Sequence, residues 1–60
     1  MTTKEIIRQL KQNGWYEKNQ KGSHQHFIHK TKKGKITVPK HSGDIPIGTA
    51  KAILKQAGLN

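Results

Sequence analysis

A chain of sixty residues is read as one domain, residues 1–60. At that size it buries only about 60% of the surface its unfolded form exposes. With 30% hydrophobic residues, and Trp15, Tyr16 and Phe27 as its aromatics, it builds one thin core that excludes a deep pocket or a large cofactor. Twelve Lys and Arg against three Asp and Glu give a net charge of +9, so the expected partner is anionic: a nucleic acid, an acidic protein, or both.

The first element starts at Thr2-Thr3-Lys4-Glu5, a capping-box pattern. Its Thr2 hydroxyl accepts from the Glu5 backbone and the Glu5 carboxylate reaches back. Ile6, Ile7 and Leu10 then share one helical face, with Arg8, Gln9, Lys11 and Gln12 outside. Gly14 supplies the left-handed C′ position, and the spacing predicts a helix over about 3–13. Trp15–Gln20 reads as a strand, Lys21-Gly22-Ser23 as a turn, His24–Lys30 as a second strand and Lys35–Pro39 as a third.

Alternation puts Phe27 and His29 on one face of the second strand and His24, His26 and Ile28 on the other. If Lys30 pairs near Lys35, Phe27 shares a core face with Ile36 and Val38. His24 and His26 then lie on the open side. His29 is expected to cap the core or pack against Ile36. Residues 40–45 form a loop carrying His41, and Pro46 suits a first helical turn. Ala50, Ile53, Leu54 and Ala57 make a core-facing stripe, with Lys51 and Lys55 outside, in a helix over about 47–57 that ends at Gly58. The order α-β-β-β-α implies an α+β two-layer sandwich: a three-stranded antiparallel sheet with two helices on one face.

Cysteine is absent, which excludes disulfides and thiolate zinc sites and favours the cytoplasm. No apolar run approaches the ~20 residues of a membrane span, and the first residues lack the apolar core of a signal peptide. Neither a membrane nor a small-molecule cofactor is expected as a partner.

His24, His26, His29 and His41 are the groups able to exchange protons near neutrality. A metal site is not expected, because carboxylates are few and scattered and no outer-shell partner is evident. His24 stands apart by its setting. It follows the Gly22-Ser23 turn, whose backbone N–H groups can hold a phosphate oxygen. Nearby lysines can stabilise a phosphorane by charge. RNA brings its own nucleophile in the 2′-hydroxyl, so one positioned imidazole is enough to begin cleavage, at ~10²–10⁴-fold as a general acid or base. The phosphate-contacting candidates are Ser23 with Lys21, Lys30, Lys32, Lys33, Lys35, Lys51 and Lys55. The group that protonates the leaving oxygen stays open among His26, His41 and a lysine.

Gly22-Ser23-His24-Gln25-His26-Phe27 resembles the G-S-H-x-x-[FY] signature of HicA-type (YcfA-like) toxins. Val38-Pro39-Lys40-His41-Ser42-Gly43 is similar to their V-P-x-H-x-G stretch. Gly48-Thr49 followed by Ile53-Leu54-Lys55-Gln56-Ala57-Gly58-Leu59 is similar to their closing G-T-x-x-x-I-L-x-Q-A-G-[IL]. The three motifs stand in the family's order and span nearly the whole chain. The resemblance implies a double-stranded-RNA-binding-domain-like fold and an mRNA interferase, an endoribonuclease that cleaves transcripts; the scattered carboxylates Glu5, Glu17 and Asp44 make metal-independent cleavage the expectation. It implies a toxin of a toxin–antitoxin system, neutralised by a HicB-type antitoxin, with the catalytic histidine at His24. His26 departs from the family, where an apolar residue is common. The rival readings are a non-catalytic module that binds RNA duplexes by shape and a protein-interaction domain for an acidic partner.

Overall fold

The computed structural model describes residues 1–40 and 43–59. Five elements follow in the expected order: α1 (Thr3–Gln12), β1 (Trp15–Lys21), β2 (His24–His29), β3 (Ile36–Pro39) and α2 (Ile47–Gln56). The strands form one antiparallel sheet in the order β1-β2-β3. Both helices pack on the same face of that sheet, giving the two-layer α+β sandwich.

The helix ends are set by local chemistry. Thr2 Oγ1 accepts from the Glu5 backbone N–H at 3.2 Å, and the Thr2 N–H donates to Glu5 Oε1 at 3.1 Å, closing the capping box. Those Thr2 hydrogen bonds, the backbone one first, hold the Glu5 carboxyl below its usual range. The stabilisation is therefore present above the ordinary carboxylate pKa and fades as pH falls through the lowered one. At the other end Gly14 (φ 91°) donates to the Lys11 carbonyl. Gly58 (φ 78°) ends α2 in a full Schellman motif, with Gly58 N–H on Lys55 and Leu59 N–H on Leu54. Pro46 is the N-cap of α2, immediately before its first helical residue.

The core is Ile6 and Leu10 of α1, Trp15, Phe27, Ile36 and Val38 of the sheet, Ala50 and Ile53 of α2, and Ala57 and Ile45 from the connections. Ile7 and Leu54, expected in the core, are half-buried at its margin. Ile45 lies in the expected loop and is buried there. Its backbone N–H reaches the Met1 carbonyl at 2.6 Å, which folds this connection inward beneath the start of α1.

The register of β2 on β3 differs from the expected one. Phe27 pairs with Ile36, whereas a Lys30–Lys35 pairing would set it opposite Val38. The slip is two residues, one full period of side-chain alternation. The same residues therefore still face the helices. In β1 a bulge between Glu17 and Asn19 lets two residues of β1 oppose one step of β2.

His29 ties three elements together. Its ring lies edge-on to Trp15, centroids 5.2 Å apart, rather than against Ile36 as expected. Nδ1 accepts the backbone N–H groups of Thr31 and Lys32. That leaves Nε2 as the donor to the Asn13 carbonyl at 2.9 Å. A Cβ on Gly14 would sit 2.6 Å from this Nε2. Gly14→Ala therefore meets two penalties, a left-handed backbone and a displaced imidazole. Gly22→Ala (φ 58°) meets only the first, since open space surrounds it. The left-handed backbone alone costs about 1–2 kcal/mol. Urea denaturation should show Gly14→Ala as the more damaging of the two by at least about 1 kcal/mol, the net worth of the hydrogen bond it disrupts.

Candidate active site

β1 and β2 are joined by the two residues Gly22 and Ser23, which bring Lys21 opposite His24. A positive φ at Gly22 and none at Ser23 is the pattern of a type II′ hairpin, whose twist matches that of the strands. Gln20 Nε2 donates to the Gly22 carbonyl at 3.1 Å. The Lys40 backbone N–H donates to the Ser23 carbonyl at 2.6 Å. The hairpin tip is thus held from both sides, while Gly22, Ser23 and His24 stay exposed.

His24 lies on the face of the sheet turned away from the helices, since Phe27 and Gln25 point to the helix side. Its cross-strand neighbours are Lys21 on one side and Pro39 on the other. Lys21 is in a directly paired position, so the two Cβ atoms stand about 5 Å apart. His26 follows on the same face, half-buried, with Nδ1 3.1 Å from the hydroxyl of Thr37 across the sheet. Partial desolvation, then the positive charges of Lys35, His24, Lys21 and Lys18, holds the His26 imidazole below its usual pKa. Tyr16 and Ile28, paired across β1 and β2, continue this face toward its far end.

The lysines do not gather around His24 as one patch. Lys21 is beside it, and Lys35 flanks the same open face near His26. Lys30, Lys32 and Lys33 lie beyond the opposite end of β2, about 17 Å or more along the strand from His24 at ~3.3 Å per residue. Lys32 has a structural task there: its amine donates to the Ala57 carbonyl at 3.2 Å and caps the C-terminus of α2. Lys51 and Lys55 are exposed on α2, in the layer opposite the open face.

Two further cations stand outside the expected phosphate contacts: Lys18 at the bulge and Lys40, whose backbone fastens Ser23. The signal for Lys40 was its place next to the β3 end that pairs with His24. An open groove of about 480 Å³ lies on the other side of the sheet, lined by Thr2, Lys4, Ile7, Gln25, Lys40 and Asp44. His41 lies outside the described residues. Among the described residues, no three His, Cys, Asp or Glu side chains converge as a metal would require, and no helix is long and apolar enough to cross a membrane.

The arrangement is an exposed imidazole at a hairpin with an accessible backbone, with a second imidazole one alternation further along and lysines flanking both. It suits proton exchange with an anion laid across the open face. No curated protein gives a significant match to the chain. Residues 3–59, which include the hairpin, both imidazoles and both helices, match the family model described as the HicA toxin of bacterial toxin-antitoxin. That match runs through nearly every element described above, and the chain therefore belongs to the HicA toxin family.

Proposed function

We propose that this toxin is a metal-independent endoribonuclease of messenger RNA in which His24 is a catalytic acid/base group, and that a HicB-like antitoxin in the same cytoplasm neutralises it. The observation that carries this reading is the exposed His24 on the open sheet face, beside the Gly22-Ser23 hairpin and opposite Lys21. An imidazole there meets a polymer that needs no pocket. The RNA supplies the nucleophile, its 2′-hydroxyl, and the protein supplies proton transfer and positive charge.

Phosphate contacts near the reacting bond fall to Lys21, Lys35 and the backbone of Ser23. Lys30, Lys33, Lys51 and Lys55 contribute to the general attraction of a +9 chain for RNA. Lys32 is drawn to the end of α2 by its hydrogen bond to the Ala57 carbonyl.

The test is His24→Ala. The residue is exposed and outside the core, so the variant should give the wild-type circular dichroism spectrum and melting curve. Its cleavage of RNA should fall by about 10²–10⁴-fold, and it should lose toxicity when expressed without antitoxin. A folded variant that cuts RNA at the wild-type rate would remove His24 from the mechanism. RNA binding with no cleavage by the wild type would point to the duplex-binding reading instead.

A further inference from the structure

The open face holds a second imidazole that the proposed cleavage does not yet use. His24 and His26 are alternate residues of one strand, so their Cα atoms are about 6.6 Å apart along β2 and both side chains stand on the same side. That separation admits one phosphodiester between them. Thr37, the β3 residue paired with His26, occupies Nδ1 of the ring. Nε2 is then the nitrogen left for a ligand. When Nδ1–H donates to the Thr37 oxygen, Nε2 carries a lone pair. This is the arrangement of a base whose far nitrogen is held by an orienting group.

We infer that His26, held by Thr37, is the general base that takes the 2′-hydroxyl proton, and that His24 is the general acid that protonates the leaving 5′-oxygen. The inference rests on the ribonuclease reading. Nε2 of His26 accepts the proton of the 2′-hydroxyl, and the 2′-oxygen bonds to phosphorus. The bond from phosphorus to the 5′-oxygen breaks with its electron pair on that oxygen, which takes the proton from the His24 imidazolium. The products are a 2′,3′-cyclic phosphate and a 5′-hydroxyl. Exchange with water restores both imidazoles.

The electrostatic setting agrees with this division. The charged groups facing His26 are Lys18 and Lys21 from β1, His24 from its own strand and Lys35 before β3, all cationic or able to become so. Glu17, the carboxylate nearest in the sheet, is turned to the helix side, where it accepts from Gln25. With partial desolvation added, the neutral imidazole is favoured at His26. A base must be neutral before it can act. Lys21, paired with His24, is placed to offset charge on the phosphoryl oxygens.

The experiment uses the whole chain and two RNA substrates, one ordinary and one with sulfur replacing the 5′-bridging oxygen at the scissile bond. A thiolate leaves without a proton. His24→Ala should therefore be slow on ordinary RNA and recover to within about tenfold of wild type on the sulfur substrate. His26→Gln should be slowed by about 10²-fold or more on both, and its rate–pH profile should lose the acidic limb that reports deprotonation of the base. Thr37→Val should lower kcat with KM unchanged, and Thr37→Ser, which keeps the hydroxyl, should restore it. His26→Gln cutting ordinary RNA at the wild-type rate with an unchanged pH profile would overturn the inference and leave the role of His24 standing. So would rescue of His26→Gln, rather than His24→Ala, by the sulfur substrate. A wild type that cuts neither substrate would overturn the ribonuclease reading itself.

Discussion

An RNA carrying a single 2′-deoxyribose on the 5′ side of the scissile phosphate should resist this toxin entirely at that bond, while excess EDTA should leave cleavage of ordinary RNA unchanged. The two results belong together. In the proposed reaction the nucleophile is the substrate's own 2′-oxygen, and the protein contributes imidazoles and lysines. Removing that oxygen removes the reaction, an effect larger than any one side chain can produce. Metal-bound water attacking from outside would cut the deoxy substrate as readily as the ribose one. The check is a gel or mass-spectrometric assay on paired oligonucleotides, with and without chelator. Cleavage of the deoxy bond, or activity lost to EDTA and restored by one divalent ion, would replace this chemistry with metal-assisted hydrolysis.

The second large effect is on stability. Phe27→Ala should remove about half or more of the chain's stability at 25 °C. Phe27 is the largest of the fully buried side chains and lies on the sheet's inner face. Truncating a buried phenylalanine to alanine costs about 3–5 kcal/mol. Sixty residues at roughly 0.05–0.15 kcal/mol each provide only about 3–9 kcal/mol in all. One side chain therefore carries a large share of the total, as expected for a core this thin. Circular dichroism during thermal and urea unfolding measures the loss. A cooperative transition within a few degrees of wild type would mean that the helices close over the gap and that the core tolerates collapse. Toxicity should fall with the folded fraction, so this variant differs from His24→Ala in losing stability as well as activity.

The features legible in the amino-acid sequence are local ones. The capping box at Thr2 and Glu5, the glycine ends at Gly14 and Gly58, and the Gly22-Ser23 hairpin each close hydrogen bonds within a few residues. A short window of sequence specifies such features because all the partners lie inside it. The inner face of the sheet is legible for a related reason. Alternation has a period of two, so even a register two residues out leaves Phe27, Ile36 and Val38 on the helix side and His24 and His26 on the open side. Pattern alone therefore puts His24 on the face where the structure has it.

The remainder depends on contacts far apart in the chain. The pairing of Phe27 with Ile36, the burial of Ile45 against Met1 and the seat of His29 between Trp15 and Asn13 join segments that no local period relates. The same holds for the Lys32 bond to Ala57, which draws one cation of a lysine-rich run to a helix end, and for the Thr37 hydroxyl on His26. Composition counts lysines and histidines equally wherever they fall. The sequence by itself determined the elements, their order and the sheet face that bears the histidines, because those follow from short-range hydrogen bonding and side-chain alternation. Only the tertiary structure decided which imidazole is locked into the core margin, which is held by a hydroxyl and which stands free at the hairpin. Those differences arise from partners brought across the sheet when the apolar face is buried.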